Sequence, residues 1–283
     1  MTTASQQLID LDPATTEQQF GRAAYSVRHE LQNHPLTQLE ALAELADALP
    51  PERVEHNLAS VGETVPGGEV PRADLSPGEL VRTIESNGSW VVLPIHGVPS
   101  YRELFDALFE DILRVLPARE GAVRRRQAVF FLSAPNSTTP THIDKEQGFL
   151  LQLTGTKKVS IGQFPDPVVA IREVERFCAG GHRNIADLPH DAETFDLKPG
   201  EGVHVPALVP HLVKTPPGVS ISLSVGFESE AVVRRANVHR ANAGLRRLGL
   251  NPAPPGERPR GDRAKERAVT AASRVARVVR RRS

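Results

Sequence analysis

The stretch Thr139-Pro140-Thr141-His142-Ile143-Asp144 decides the fold class, because it sets a histidine and an aspartate two residues apart in a segment of β character. Side chains at positions i and i+2 of a strand leave on the same face, so His142 and Asp144 can point at one object. His211 follows some seventy residues later, after Pro206-Ala207-Leu208-Val209-Pro210. Two imidazoles and one carboxylate bind Fe(II) on one face and leave the remaining positions open. The pattern predicts an iron-dependent oxygenase.

The residues around these ligands indicate a series of short strands separated by turns. Residues 127–132 and 149–153 are apolar runs of β character, and residues 219–225 alternate strictly between apolar and polar. Gly155-Thr156 and Pro199-Gly200 supply turn chemistry between such runs. Successive short strands of this kind predict a β-sandwich or barrel that carries the ligands at strand ends.

Three motifs together resemble the JmjC-type cupins, the Fe(II)- and 2-oxoglutarate-dependent oxygenases that include the asparaginyl hydroxylase acting on hypoxia-inducible factor. The motifs are His142-x-Asp144, then Phe149-Leu150-x-Gln152-Leu153-x-Gly155-x-Lys157, and Pro199-Gly200-Glu201-Gly202-Val203 running on to Pro206 and His211. The resemblance covers roughly residues 125–230, and several spacings agree at once. It implies a mainly β chain with a double-stranded β-helix (cupin, jelly-roll) core.

The resemblance also implies a role for each matching residue. His142, Asp144 and His211 would hold Fe(II), and 2-oxoglutarate and O2 would be consumed there. Lys157 falls where the family places a lysine that pairs with the distal carboxylate of 2-oxoglutarate, and Thr139 matches a hydroxyl that helps to hold it. An independent argument supports Lys157, because a dianion bound inside a barrel needs a buried cation and hydrogen bonds. The neighbouring Lys158 is expected to face solvent.

Each of these assignments has a structural alternative. His142 and Asp144 could form a capped surface turn, and His211 could be a packed core histidine. Lys157 could be a solvated strand lysine, and Thr139 an ordinary turn residue. The seven other histidines (His29, His34, His56, His96, His182, His190 and His239) show no metal-like spacing, and surface positions are expected for them.

The sequence departs from the family pattern at three positions. Gly148 and Gly226 stand where some relatives carry asparagines near the 1-carboxylate of the co-substrate, so the way that carboxylate is held is left open. His204 replaces a residue that is often apolar or aromatic in relatives. Contact between His204 and the site is also left open.

We predict three parts along the chain. Residues 1–120 form a mostly helical extension, which the resemblance to the JmjC-type cupins implies packs on the core, and residues 121–235 form the catalytic core. An insertion at 162–197 interrupts the core, and substrate contacts are expected there because long loops are often functional. Residues 236–283 form a Pro-rich linker and a basic C-terminal tail.

Local signals predict the elements of the extension. Helical spacing of apolar residues predicts helices over 16–31, 36–49 and 100–116, and an apolar β run predicts a strand over 90–95. Ser76-Pro77-Gly78-Glu79 is a capping box with proline at the first helical position, which predicts a helix start.

The tail carries a strong charge asymmetry. Residues 256–283 contain ten Lys or Arg and three Asp or Glu, although the whole chain is formally neutral. Such a segment could neutralise nucleic-acid phosphates, lie on an anionic membrane or dock on an acidic protein surface. A solvated, partly disordered tail is the alternative. The segment has no aromatic residue, which argues against base stacking, so nucleic-acid binding is not favoured.

Bulk composition fits one catalytic domain with appendages. The single cysteine, Cys178, excludes an intramolecular disulfide and a thiolate metal site. The sequence shows no leader-like N-terminus and no long apolar run, so a cytoplasmic location is expected. The function predicted is hydroxylation of an unidentified protein side chain or small molecule. A non-catalytic, regulatory metal-binding cupin and a nucleic-acid-associated factor are the alternatives. N-demethylation would be the same chemistry, and a homodimer is compatible with the fold.

Overall fold

Strand periodicity organises the chain into two antiparallel sheets. The computed structural model describes residues 7–58, 62–64 and 75–280, with only the backbone for 275–280. Its strands are, in chain order, β1 (Ile9–Asp10), β2 (Tyr25–His29), β3 (Glu55–Leu58), β4 (Ser89–Pro94), β5 (Val123–Ser133), β6 (Thr138–His142), β7 (Gln147–Thr154), β8 (Lys157–Gln163), β9 (His190–Leu197), β10 (Glu201–Val205), β11 (His211–Lys214) and β12 (Ser220–Ser229).

The two sheets differ in size. The larger sheet has the strand order β1-β2-β10-β7-β12-β5-β4-β3, and the smaller sheet has the order β6-β11-β8-β9. Neighbouring strands are antiparallel throughout, and most neighbours are not consecutive in sequence. The mainly β chain with a jelly-roll core is therefore confirmed.

Strand β12 lies between β7 and β5 and separates two environments. Its odd-numbered side chains, from Ile221 to Phe227, are at most 3% exposed and belong to the main hydrophobic core. Each such burial stabilises the fold by about 1.5–3 kcal/mol. The even-numbered positions Ser222, Ser224 and Gly226 lie on the opposite face and are small. The alternation thus gives the sheet one packed face and one face with room for ligands.

Seven α-helices surround the sheets in the described part of the chain. They are α1 (Pro13–Gln19), α2 (Leu39–Ala48), α3 (Pro77–Arg82), α4 (Arg102–Val115), α5 (Pro167–Cys178), α6 (Glu230–Arg247) and α7 (Pro259–Arg280). Side chains of α2, α3 and α4 pack into the main core against the larger sheet. None of the described helices is long and apolar enough to span a bilayer.

The N-terminal extension is only partly helical. Helices α2 and α4 and strand β4 confirm the predictions for 36–49, 100–116 and 90–95. At the start of α3 the backbone N–H of Ser76 donates to the Glu79 carboxylate at 3.1 Å, which confirms the capping box.

The helix predicted over 16–31 is wrong. Helix α1 ends at Gln19, Gly21 takes a φ of 70°, and β2 follows with alternating buried and exposed residues. Pairing of β2 with β1 and β10 outweighs the local helical spacing. The extension adds β1 to β4 to the larger sheet, so it is continuous with the core.

The inserted segment differs from the sequence prediction, and of the two outcomes considered for the tail, a basic helix and a disordered segment, the structure has the helix. Segment 162–197 contains α5 and strand β9, which pairs with β8, so only residues 164–189 lie between core strands. The predicted boundary at 235/236 falls inside α6. Residues 256–280 are mostly helical, because α7 packs on α6 instead of extending into solvent. The terminal arginines 281 and 282 lie outside the described residues.

Two histidines expected at the surface are buried. His29 is 2% exposed and accepts a hydrogen bond from the backbone N–H of Leu31 through Nδ1 at 3.1 Å. His239 on α6 is 6% exposed. Burial lowers the pKa of both imidazoles, to about 4 for His239, so both are neutral in the folded protein near neutral pH.

The turn between β7 and β8 provides a test of the fold. Gly155 has a φ of 67°, and a Cβ there would lie 2.0 Å from the carbonyl oxygen of Val219. Gly97 has a similar φ of 78° but nothing within 4 Å of such a Cβ. We expect Gly97→Ala to cost about 1 kcal/mol, for the left-handed backbone alone. Gly155→Ala should cost about 3 kcal/mol or more, because the clash adds to that penalty. Urea denaturation of both variants measures the difference, and equal costs would show that the turn relaxes freely.

Candidate metal centre and cavity

The pairing register of β6 and β11, two strands of the smaller sheet, brings the predicted metal ligands together. His142 ends β6 and His211 begins β11, and the two residues are directly paired, with ring centroids 4.0 Å apart. Asp144 follows β6 by two residues, and its Oδ2 lies 3.6 Å from Nε2 of His142 and 3.5 Å from Nε2 of His211. One ligand atom from each residue lies within 4.8 Å of the others, so a single cation can contact all three.

Hydrogen bonds to the backbone fix which nitrogen of each imidazole faces the cluster. Nδ1 of His142 lies 2.7 Å from the carbonyl oxygen of Pro140, and Nδ1 of His211 lies 3.0 Å from that of Val209. A carbonyl only accepts, so both Nδ1 atoms carry a proton and both Nε2 atoms face Asp144. Burial lowers the pKa of His142 to about 4, helped by His211 and Arg183. Two imidazole nitrogens and one carboxylate oxygen at this spacing suit a divalent transition metal.

Arg183 completes the cluster and was not found from the sequence. Its Nη1 lies 3.2 Å from Oδ1 of Asp144, the carboxylate oxygen that faces away from the histidines. Burial acts to raise the pKa of Asp144, but His142 and Arg183 outweigh it and hold that pKa well below its usual range. Asp144 is therefore ionised. The contact joins residues 39 positions apart, and no local motif marks it.

The backbone of the inserted segment holds Arg183 in place. The N–H of Ile143 donates to the carbonyl of Arg183 at 3.1 Å, and the N–H of Ile185 donates to the carbonyl of Thr141 at 3.0 Å. Asn184 forms a bridge with His142 between these two bonds. Residues 183–185 thus act as a short extra strand on the free edge of β6.

Lys157 is buried at the start of β8, with 3% of its surface exposed. Its Nζ donates to the hydroxyl of Ser222 at 2.8 Å and to that of Ser133 at 3.4 Å. Burial lowers the pKa of Lys157 to about 7. Lys158 points the other way, with 53% of its side chain exposed and an ion pair to Asp196, which confirms the expected orientation. Ser133 and Ser222 were not predicted, because isolated serines in strands carry no signal.

One cavity of about 380 Å³ connects these groups. Its wall includes all five residues singled out from the sequence: His142, Asp144, His211, Lys157 and Thr139. Apolar side chains from both sheets, Val129, Leu150 and Val213 among them, line the same cavity, and the ring centroid of Phe131 lies 6.0 Å from Nζ of Lys157. The cavity can therefore hold a small carboxylate between a buried ammonium and a metal.

Residues of the inserted segment and of the β6–β7 connection form another part of the wall. Nζ of Lys145 lies 4.5 Å from the ring centroid of Phe177 on α5, and both residues line the cavity. Glu146 lies beside them, and burial together with the charge of Asp144 raises its pKa. The inserted segment thus contributes Phe177 and Arg183 to the cavity, where substrate contacts were expected.

The two glycines that depart from the family pattern face each other. Gly148 on β7 and Gly226 on β12 are paired, and both line the cavity. A Cβ at Gly148 would have its nearest neighbour at 3.9 Å, and a Cβ at Gly226 at 3.5 Å. Side chains would fit at both positions, so the glycines widen the cavity and are not required by packing.

His204 lies in the main core, outside the cavity wall. Its ring stacks on Phe20 with centroids 4.5 Å apart. Nδ1 donates to the carbonyl of Gly148 at 3.0 Å, and Nε2 accepts from the N–H of Gly21 at 3.2 Å. Burial lowers the pKa of His204 to about 3, so the ring is neutral. His204 therefore ties the α1–β2 turn to the strand that carries Gly148.

The contact between Arg183 and Asp144 predicts a loss of metal affinity when it is removed. Arg183→Gln should weaken Co(II) binding about tenfold, because an outer partner that orients a ligating carboxylate has an effect of this size. Titration followed by the visible absorption of Co(II) measures the affinity. Arg172→Gln is the matched control, since Arg172 lies on the same segment, is 61% exposed and pairs only with Glu173. Equal affinities for the two variants would contradict the assigned role.

Comparison with solved structures identifies the fold. The X-ray structure of Escherichia coli ycfD matches with a TM-score of 0.55 at 18% identity, covering 94% of this chain and 68% of that chain. The structure of YcfD, a ribosomal oxygenase from Escherichia coli, in complex with cobalt and 2-oxoglutarate matches with a TM-score of 0.52 at 18% identity. That alignment covers 94% of this chain and 67% of the other. At this identity the matches establish a shared fold.

Comparison with protein families identifies the part of the chain that carries the site. No curated protein matches this sequence. The model described as the JmjC domain matches residues 113–234, a range that contains β6, β8 and β11 and all five predicted site residues. Residues 113–234 of this chain therefore form a JmjC domain, as the resemblance of its motifs to the JmjC-type cupins predicts.

Proposed function

We propose that the protein is an Fe(II)- and 2-oxoglutarate-dependent oxygenase, and specifically a hydroxylase. The observation that carries the proposal is the placement of two imidazoles, one ionised carboxylate and one buried lysine around a single cavity. The donor set fits Fe(II), which this combination of ligands binds with positions left open. The fold neighbour from Escherichia coli with cobalt and 2-oxoglutarate supports the assignment.

His142, Asp144 and His211 would hold the iron, and Arg183 would keep Asp144 ionised and oriented. When bound, Fe(II) would supply the oxidising chemistry by which one oxygen atom of O2 enters a substrate C–H bond and the other enters succinate, as 2-oxoglutarate is converted to succinate and CO2. The protein contributes placement of the ligands and exclusion of water. Apolar side chains around Lys157 keep that end of the cavity dry, which strengthens its charge interactions.

Lys157 would anchor the distal carboxylate of 2-oxoglutarate. A protonated lysine has three N–H donors, and the hydroxyls of Ser222 and Ser133 accept from it. Its remaining donor capacity is available to a carboxylate, and Thr139 lies in the same wall to provide a hydroxyl. A carboxylate beside the buried ammonium would also offset the cost of charging it.

We infer a macromolecular substrate. The Escherichia coli neighbour is a ribosomal oxygenase, which supports a substrate larger than a metabolite. The cavity wall formed by Phe177, Lys145 and Glu146 offers aromatic, cationic and anionic groups to such a substrate. A cytoplasmic location is proposed with this substrate class, and N-demethylation would use the same site.

A second candidate function is a regulatory cupin that binds metal without turnover. The pair Gly148 and Gly226 favours it, because these positions offer no side chain to the 1-carboxylate of a co-substrate. This candidate expects tight binding of Fe(II) or Co(II) and no production of succinate. The two functions are separated by the following assay.

We expect purified protein with Fe(II) and O2 to convert 2-oxoglutarate to succinate without added substrate. His142→Ala should abolish turnover, because two ligands do not retain the metal in a productive geometry. Lys157→Met should raise the KM for 2-oxoglutarate about a hundredfold, since a charged hydrogen bond in a buried site contributes about 1.5–3 kcal/mol. Succinate measured by NMR gives the rates.

Lys158→Met is the matched control, because its side chain points away from the cavity toward Asp196. Its KM should equal that of the unchanged protein. Equal KM values for Lys157→Met and Lys158→Met would contradict the role of Lys157. Metal binding without succinate under all conditions, including with cell extract as a source of substrate, would favour the regulatory cupin.

The pKa of about 7 for Lys157 predicts how binding of 2-oxoglutarate depends on pH. The co-substrate binds the protonated amine, so its Kd should be constant below pH 7 and rise about tenfold for each pH unit above it. Isothermal titration with Co(II)-loaded protein from about pH 6.5 to about pH 8.5 measures the slope. Lys157→Arg removes the titrating group, because guanidinium stays charged throughout this range. The same slope in Lys157→Arg would assign the pH dependence to another group.

A further inference from the structure

The charge of the chain is divided between two regions that fold differently. Residues 230–283, which include α6 and α7, contain fifteen Lys or Arg and four Asp or Glu, a net charge of +11. Residues 1–229 contain nineteen basic and thirty acidic residues, a net charge of −11. The formally neutral chain therefore consists of a strongly basic pair of helices, α6 and α7, which we call the helical pair, and an acidic remainder, residues 1–229, which we call the body.

Packing of α7 on α6 orients the basic residues of α7. The side of α7 that packs toward α6 has partly buried residues spaced three and four apart: Asp262, Lys265, Glu266 and Val269. Four arginines of α7 are exposed, and their spacings of three, four and seven residues place them on one face of the helix. They are Arg260, Arg263, Arg267 and Arg274. We name these four residues the arginine stripe. The stripe belongs to a folded helix and lies on the side opposite the partly buried residues, although Arg263 also borders the groove between α6 and α7.

The acidic body does not neutralise this surface. Among the residues that the structure describes, two ion pairs join the helical pair to the rest of the chain, Glu230 with Arg124 and Arg246 with Glu175. Within α7, Lys265 pairs with Asp262. None of the described ion pairs includes a member of the arginine stripe. The positive field of α7 is consequently directed to solvent.

We propose that the arginine stripe binds the phosphate backbone of a double-helical nucleic acid. The arginine stripe runs over fourteen residue steps of α7, about 21 Å, and phosphates follow one another about every 3.4 Å along each strand of a duplex, so the stripe can reach several of them. Arginine presents a planar fork that matches phosphate oxygens. Residues 230–283 contain no aromatic residue, so bases have nothing to stack on and contacts to the backbone of a duplex are favoured over single strands.

The composition of α7 disfavours a membrane as the anionic partner. A helix that lies in a bilayer interface inserts large apolar side chains such as Leu, Phe or Trp. Residues 256–283 contain none of these and no Ile or Met, and their apolar residues are alanine, valine and proline. The exposed leucines Leu248 and Leu250 lie in the connection before α7, outside the stripe. The proposal therefore commits to nucleic acid and leaves vesicles as a test outcome.

The test measures binding of the full protein to a fluorescent RNA duplex of about 20 base pairs by anisotropy, with a DNA duplex in parallel. The triple variant Arg263→Gln, Arg267→Gln, Arg274→Gln removes three charges from the stripe. The matched control Arg22→Gln, Arg28→Gln, Arg102→Gln removes three exposed charges from the body. Circular dichroism and Co(II) binding verify that both variants are folded, because the arginine stripe is not part of the proposed metal site.

We expect the unchanged protein and the control to bind a duplex with an affinity that falls steeply between about 50 and about 200 mM salt. The stripe variant should bind at least about tenfold more weakly, and its slope of log K against log salt should be shallower by about 2–3, one phosphate contact for each arginine.

Four results would overturn the proposal. Equal affinity of the stripe variant and the unchanged protein would remove the stripe from the binding surface. An equal loss in the body control would reduce the effect to net charge. Binding to phosphatidylserine vesicles without duplex binding would replace nucleic acid by a membrane. Salt-dependent self-association without duplex binding would assign the stripe to the acidic body of a second copy.

Discussion

The antiparallel register of β6 and β11 is the constraint on which the proposed metal centre depends. It pairs His142 with His211, and a slip of one residue would turn one imidazole to the other face of the sheet. The carbonyls of Pro140 and Val209 each lie two residues before a histidine and accept a hydrogen bond from its Nδ1, which places a proton on that nitrogen. Proline at 140 and at 210 restricts the chain beside each ligand. Ligand geometry is thus a property of two short strands and their entry turns.

Burial of Lys157 in the cavity lowers the stability of the fold at neutral pH. Lys157 is held by two neutral hydroxyls and has no described carboxylate partner, so burial disfavours its charged form and lowers its pKa to about 7. Between pH 7 and its ordinary pKa near 10.5, the unfolded chain binds a proton that the folded chain does not, so this lysine makes stability rise with pH across that window. A strand residue that destabilises the fold at neutral pH is a mark of a binding site.

The sequence was most informative where function depends on residues close together in the chain. His142 and Asp144 are two residues apart, Lys157 starts the strand after a glycine turn, and alternation along β12 separates core from cavity. Helices α2 and α4 were predictable because their apolar residues keep helical spacing over whole turns. These features are set by local geometry, which periodicity reports directly.

Contacts between distant segments could not be predicted in the same way. Strand β2 satisfies a helical pattern locally and becomes a strand because β1 and β10 pair with it. No sequence motif marks Arg183 or Ser222. Only the folded structure shows that Arg183 lies beside Asp144 and Ser222 beside Lys157. The sequence left open whether His204 contacts the site, and its stacking on Phe20 places it in the core. Tertiary pairing decided each of these outcomes.

The inserted segment connects the metal centre to the basic helical pair. Arg183, near the end of the segment, holds Asp144, and Glu175 on α5 pairs with Arg246 on α6 at 3.0 Å. Glu175 is 4% exposed, and displacement of α6 would remove its ion-pair partner Arg246 and leave a buried carboxylate unpaired, at a cost to stability. Helix α5 also carries Phe177 into the cavity wall. Helix α5 therefore contacts the helical pair through Glu175 and the cavity through Phe177, so its packing on α6 is one of the constraints on the cavity wall.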